Sequence, residues 1–557
     1  AGLDADQAAA VCRALGMPMP EVDGLAKPDF DSQRPDSVTR AVMLWMLAKQ
    51  GITPPAPITS DAEFKDWESA WQEELYDAWA AAQPDRPVKS DAAEPSGADA
   101  DDAFGLGLGS MGVNPGPMSP FYYLEERAWD LIYSCSEQPW TAAECPPLAG
   151  WVARNDSNFA LLQEAAQRPS YWLPPADLLT EPEATLVASF GRPEYRGLRG
   201  VVSCISIRTM LRVGEHQLAE AWEDLRLLFE LIDRYPRDSL IDLLIACAWE
   251  GVASQAAEAL LTERDLPVET ATAMQSYFAA RKPSYPLANI INGSERLLWL
   301  SSFTDAQEKG DFSEVLSDVL PDEAVGLSRM SIDWNVTLVR LNTLYNAGSA
   351  ALKLPSYNAK VAALQKIVQS NAMADQHPPI AAYLSQAERS QFLADCYARG
   401  TYINASNLLL DPVEQADGFR RRLAVTAALA VHRLQTGAYP ASLAELDALL
   451  LAKPPLGAYS GAPLVYEKTD NGYLLYDVGP NGKDDGGSNE LMDSYRGYAC
   501  YQDTPEGEIA GLLGEPEPGP NESLSDRIPA DADDHATRVP LPPIDRSQYF
   551  DPDRDRQ

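Results

Sequence analysis

The side chains of this chain best able to do chemistry are its acids, and what they offer is hard oxygen rather than a nucleophile. In the run Gly479-Pro480-Asn481-Gly482-Lys483-Asp484-Asp485-Gly486-Gly487, carboxylates and an amide sit among glycines. Glycine lets a backbone fold back so that carboxylates and carbonyls converge, and calcium asks for about six to eight oxygens at roughly 2.3 to 2.6 Å. A solvated acidic turn is the other product of such a segment. Softer chemistry is poorly served: His216, His377, His432 and His535 lack metal-ligand spacing such as H-E-x-x-H and read as surface or boundary residues. No G-x-S-x-G elbow, Walker loop or S-x-x-K is present. Phe104-Gly105-Leu106-Gly107-Leu108-Gly109 follows no strand and precedes Val113-Asn114-Pro115, which cannot open a helix over a phosphate. Adjacent acids such as Glu125 and Glu126 say little in a chain this acidic. With Trp140, Trp151, Tyr171 and Trp172 as groove-lining or packing residues, they leave a secreted glycoside hydrolase using paired carboxylates in a helical cleft as the alternative function.

The elements that must position these groups are mostly helices. Periodicity and caps predict helices over Ser37 to Gln50, Asp61 to Gln83, Phe121 to Cys135 and Thr180 to Phe190. Three more run from Leu198 to Leu261, broken at Val213-Gly214 and Tyr235-Pro236. Further helices follow at Val268 to Ala280, Trp334 to Leu352, Asn358 to Ser370 and Gln386 to Ala398. The Asp61 helix opens with the capping box Ser60-Asp61-Ala62-Glu63 and carries Phe64, Trp67, Trp71, Leu75 and Trp79 on one face, a packing seam. No clean repeat period emerges, so the body is helical-hairpin or solenoid-like in packing style only. From Phe419 the pattern changes. An amphipathic helix stops at Gly437, a short helix is opened by Ser442-Leu443-Ala444-Glu445, and strands Pro463 to Glu467 and Tyr473 to Val478 flank Asp470-Asn471-Gly472, a hairpin signal.

Length and composition set the frame. A chain of 557 residues with 45% hydrophobic residues and 12 Trp folds into several domains. The expected division is 1–83 N-terminal helical, 84–120 flexible linker or long surface loop, 121–418 helical body, 419–500 α+β, and 501–557 an acidic, Pro-rich extended tail. Within that tail Ile544 to Phe550, with adjacent Tyr549 and Phe550, is the expected docking anchor. The formal charge of −38 repels phosphate backbones, which excludes nucleic acid as a partner and favours cations or basic protein surfaces. No run of 18 apolar residues is present, so no transmembrane segment is expected within these 557 residues. The first residue is Ala1 rather than Met, which reads as export with a signal peptide or anchor removed, to the periplasm or beyond. Of seven cysteines, Cys135 and Cys145 could close a disulfide, Cys204, Cys247 and Cys396 read as buried thiols, and Cys12 and Cys500 are unassigned.

The pieces A-V-H-R-L-x-x-G-A-Y-P-A-S-L-x-E-L, G-A-P-L-V-Y and G-Y-L-L-Y-D-V-G-P-N-G-K-D-D-G-G, within Phe419 to Asp493, resemble the C-terminal globular domain of type II secretion major pseudopilins in motif and in order. The resemblance implies a structural calcium site in the loop after the hairpin, with Asn481, Asp484, Asp485 and Asp493 at the ligand positions. Asn481 stands where the family usually has an aspartate, which removes one charge and weakens binding. Some 400 residues precede the helix that anchors a pseudopilin fibre, so a fibre subunit is not implied and the family's role in secretion does not transfer. The expected fold is therefore mainly α, a multi-helix body with a small C-terminal pseudopilin-like α+β domain. The expected function is a non-enzymatic cell-envelope or extracellular scaffold that binds protein partners, with a homo-oligomer as one form.

Overall fold

The computed structural model describes residues 35–71, 124–168, 194–304, 331–370, 384–446, 455–488, 534–540 and 546–550, apart from short gaps inside the first and third spans. The expected helix at Thr180 to Phe190, the 84–120 segment, Tyr171, Trp172, His377, Cys12, Cys500 and Asp493 lie outside these residues. The described chain is mostly helical, with one small antiparallel sheet, and it divides into two compact units.

The smaller unit spans 31–134, 145–151 and 546–557. It holds α1 (Pro35–Lys49), a helix over 62–71, most of α2 (Leu124–Glu137) and the start of α3 (Pro146–Arg154). Its core includes Val42, Met46, Leu47, Phe64, Leu124 and Leu131, each 1% exposed or less. The capping box forms: Glu63 N–H donates to Ser60 Oγ at 3.1 Å and Ser60 N–H to Glu63 Oε2 at 3.2 Å. Phe64, Trp67 and Trp71 do share one face, with Trp67 and Trp71 stacked at 5.7 Å. A 3-10 turn, Arg546–Phe550, docks here as the aromatic pair suggested. Tyr549 is fully buried, Phe550 meets Trp45 edge-on at 5.1 Å, and Gln50 Nε2 donates to the Phe550 carbonyl.

The larger unit spans 135–144 and 152–545. It begins with α4 (Asp156–Ala166) and the three expected helices, α5 (Glu194–Gly214), α6 (Leu218–Arg234) and α7 (Leu240–Thr262). The α5 break is tight: a Cβ on Gly214 would lie 2.0 Å from the Trp140 carbonyl oxygen. Trp140 is held by its indole N–H on the Ile207 carbonyl and its backbone N–H on that of Met210. Next come α8 (Val268–Ala280), α9 (Leu287–Ile290, continued by a π turn to Glu295), α10 (Trp334–Leu352) and α11 (Tyr357–Ser370). By length and composition α7 alone, among the described residues, could cross a bilayer; here it packs against α6 and α12, and an all-round apolar helix of this kind is a core element.

Within this one unit, a single long helix runs from the other helices to the sheet. Helix α12 runs unbroken from Gln386 to Thr436, 51 residues and so about 75 Å. The sequence reading ended a helix at Ala398 and began another at Phe419, on either side of Pro412, but the chain continues through. A proline inside a helix costs about 3 kcal/mol, and here its neighbours Leu410, Val413 and Ala416 are buried in the body core, which offsets that cost. The helix is capped at Ser385 by the box with Glu388 and ends at Gly437, whose φ of 84° is left-handed as a C-cap requires. The short helix at Leu443–Glu445 is a 3-10 turn, and the expected Ser442 cap does not form; Glu445 instead accepts from the Ala441 amide.

The expected hairpin forms, closed by the four-residue loop 469–472. β1 (Val465–Lys468) pairs antiparallel with β2 (Tyr473–Asp477), Lys468 opposite Tyr473. A third strand, β3 (His535–Val539), comes from the segment read as tail and pairs antiparallel on the other side of β2. Val539 joins Leu475, Tyr473, Leu464, Leu429 and Val425 in the core beneath the sheet, and Thr537 Oγ1 donates to the buried Glu258 on α7 at 2.7 Å. Burial of Val539 and pairing of its strand supply what composition alone argued against. Cys135 and Cys145 are both buried, as are Cys204 and Cys247, whose thiols burial pushes up to about 12.

Candidate functional site: the loop after β2 and its aspartate clasp

The loop 478–488 leaves the end of β2 and is shaped by left-handed glycines at Gly482, Gly486 and Gly487. The pair at 486 and 487 turns backbone amides inward. The amides of Gly479, Asp485 and Gly487 meet one carboxylate, that of Asp534, the residue immediately before β3. Asp534 Oδ1 accepts from the Gly479 amide at 3.1 Å, and Oδ2 accepts from those of Asp485 at 2.8 Å and Gly487 at 3.0 Å. Asp534 returns its own amide to the Ser488 carbonyl, and Arg538 Nη2 donates to the Gly487 carbonyl. Asp534 is fully buried; burial raises its carboxyl above the usual carboxylate range, with the three amides pulling the other way.

Three of the four residues expected to ligate calcium lie on this loop. Asn481 Oδ1 accepts from the Lys483 amide at 2.6 Å and its Nδ2 donates to Asp485 Oδ2 at 2.9 Å. Asp484 Oδ1 accepts from the Tyr476 hydroxyl at 2.9 Å and the Gly486 amide at 3.1 Å, and burial together with that carboxylate pushes the Tyr476 phenol up. Asn481 and Asp485 are therefore brought together, Asp484 is tied to β2, and Asp493 lies outside the described residues. Among the described residues no three or more His, Cys, Asp or Glu side chains converge as a metal site. The donors present are all hard oxygens, the class calcium takes. Asp534 was missed because Asp531-Ala532-Asp533-Asp534 reads as a solvated acidic run; the one available signal was the alternating β-prone pair Thr537 and Val539 just after it.

A second buried aspartate does similar work nearby. Asp477, the last residue of β2, accepts from the Tyr459 amide at 3.1 Å and the Ser460 hydroxyl at 2.7 Å, closing the turn 457–461. His535 on β3, expected at the surface or its boundary, is partly buried: it stacks on Tyr459 at 5.3 Å, and burial, with Arg422 adding to it, lowers its pKa to about 3.

In the body, buried charge is spent on structure. Arg281 bridges Glu250 on α7 and Asp233 on α6, with Glu250 fully buried. Asp224 on α6 holds Arg208 and Arg212 of α5. Of the aromatics that a sugar groove would use, Trp140 is 1% and Trp151 6% exposed, which makes both packing residues. No protein-family model, curated protein or solved structure matches the chain.

Proposed function

We propose that this chain is a non-enzymatic interaction or scaffold protein of the cell envelope or the extracellular space that binds protein partners. The observation that carries the reading is the use made of buried charge: Glu250, Asp224, Asp477 and Asp534 are each bound to arginines, a hydroxyl or backbone amides of the chain itself. A hydrolase would instead keep two acids converging on a cleft. The C-terminal unit, a helix against a three-stranded sheet, is proposed as a pseudopilin-like module reused as a terminal domain. Asn481, Asp484, Asp485 and Asp493 would hold calcium there, and the ion would neutralise loop carboxylates that otherwise repel one another.

The test of the scaffold reading is in-cell cross-linking of the full chain combined with assay of the purified chain on a panel of soluble polysaccharides. Reproducible cross-links to itself or to defined envelope proteins, without release of reducing sugar, support it; sugar release that survives repurification overturns it. The calcium reading is tested by thermal unfolding in EDTA and then in millimolar calcium. A rise in Tm that is lost in the Asp484→Ala, Asp485→Ala double variant supports the site, and equal melting in all conditions overturns it.

A further inference from the structure

Several arginines of the body are answered by an acid, as Arg208 is by Asp224, Arg281 by Glu250 and Arg340 by Asp395. Arg296, just beyond the π turn Ile291–Glu295, is answered by three amides instead. Its Nε donates to Asn342 Oδ1 at 2.7 Å, and its Nη1 to Asn292 Oδ1 at 2.9 Å and Asn346 Oδ1 at 2.8 Å. A guanidinium can only donate, so each asparagine must turn its oxygen toward it and its Nδ2 away. Among the described residues, Arg296 Nη2 and the Nδ2 groups of Asn292 and Asn346 make no hydrogen bond, and no carboxylate pairs with Arg296. Amide oxygens hold the group in place without neutralising it, in a chain with 82 acidic residues.

The surface around this guanidinium has the composition of an interface. Helix α10 carries one charged residue in 19, Arg340, which turns to Asp395 of α12, whereas charged residues make up 23% of the chain. Its outward positions Val339, Asn342, Thr343 and Asn346, three and four apart, form one uncharged face. Val339 is 67% exposed, and Leu297, directly after Arg296, is 68% exposed, the highest values among the large apolar side chains described. A Cβ on Gly293 in the π turn would meet nothing within 4 Å, so the space beside the turn is open. Such turns recur at functional sites. Interface cores are poor in charge yet enriched in arginine, and an arginine there is among the side chains whose loss weakens binding most.

We propose that this face docks a protein partner presenting an Asp or Glu side chain flanked by aliphatic residues. The carboxylate would accept from Arg296 Nη2 and from the Asn292 and Asn346 amides, and its aliphatic neighbours would cover Leu297 and Val339. Charge selects the occupant: the face offers a cation and free donors but no acid of its own. A two-fold pairing with the same face of a second copy would bring two guanidiniums together and leave both without a carboxylate. The proposal rests on the scaffold reading and assigns it one surface.

The experiment is selection of a displayed random peptide library on the purified full chain, followed by fluorescence anisotropy with the enriched peptides made synthetically. Enriched sequences are expected to carry Asp or Glu beside Leu, Ile or Val. Binding should weaken about tenfold when the peptide's acid is changed to its amide, and equally in the Arg296→Gln and Val339→Ser chains. Circular dichroism checks the fold of both variants, and Val339→Ser, at a side chain the fold leaves exposed, carries the test should Arg296→Gln fail to fold. Failure to enrich any peptide, enrichment without acids, or equal affinity of the folded variants and the wild type overturns the proposal. Sedimentation that shows a dimer lost in Arg296→Gln would assign the face to a second copy and overturn it as well. In-cell cross-links that form but map outside α9 and α10 overturn this face alone and leave the scaffold reading standing.

Discussion

Replacing Asp534 with alanine withdraws one buried carboxylate from three backbone amides, those of Gly479, Asp485 and Gly487. Hydrogen bonds to a charged acceptor contribute about 1.5 to 3 kcal/mol each, and they are not additive when they share one group. The carboxylate's own desolvation subtracts from the total, as its raised pKa indicates. A net loss of about 3 kcal/mol is therefore expected, which is roughly two decades in the local opening equilibrium. The loss should be local, because α12 and the hairpin have their own core contacts in Val425, Leu429, Tyr473 and Leu475. The assay is amide hydrogen exchange followed by NMR or mass spectrometry. In the Asp534→Ala variant, peptides over 473–488 and 534–540 should exchange about a hundredfold faster, while α6 to α8 keep wild-type protection. Asp534→Asn, which retains one acceptor oxygen, should fall between. Unchanged exchange at Gly479, Asp485 and Gly487 in the alanine variant would refute the clasp.

Other outcomes follow from the same geometry. His535 has a folded pKa lowered to about 3 against about 6.5 unfolded. The stability it contributes is therefore complete above pH 6.5 and is lost as pH falls from there toward 3, by at most about 5 kcal/mol. Urea unfolding at pH 7 and pH 4.5 should show that loss in the wild type and a smaller one in His535→Gln. Arg281→Met leaves Glu250 buried without its cation and should cost about 3 to 5 kcal/mol in denaturant midpoint analysis, whereas the double change with Glu250→Met should recover much of it. A Cβ at position 472 would lie 1.9 Å from the Val539 carbonyl oxygen, so Gly472→Ala should displace β3 and accelerate exchange of 534–540 while leaving the helical signal in circular dichroism unchanged.

How much of this was legible in the sequence follows from the range of the forces involved. The breaks at Gly214 and Pro236, the capping box at Ser60, the stop at Gly437 and the Asn-Gly hairpin were all read correctly, because a cap or a turn is decided within a few residues. The continuity of α12 through Pro412 was misread because the local penalty of a proline is visible in sequence, while the packing of Leu410, Val413 and Ala416 that offsets it is not. The sequence pointed to Asn481, Asp484 and Asp485 as oxygen donors of one loop, and the structure joins Asn481 to Asp485 while tying Asp484 to Tyr476 of β2. Which group organises them was not legible.

From its sequence alone the chain determined that it would be mainly helical, acidic, and closed by a small hairpin beside a helix, since periodicity, charge and turn chemistry are properties of short segments. Only the tertiary structure decided that a strand some sixty residues after the hairpin would complete the sheet. It likewise decided that Asp534 would fill the amide nest of the loop, that Glu258 would meet Thr537 across 279 positions, and that Lys360 would pair with Glu414. The physical reason is that a buried carboxylate is stable only where donors from elsewhere in the chain converge on it, and that convergence exists only once the chain has folded.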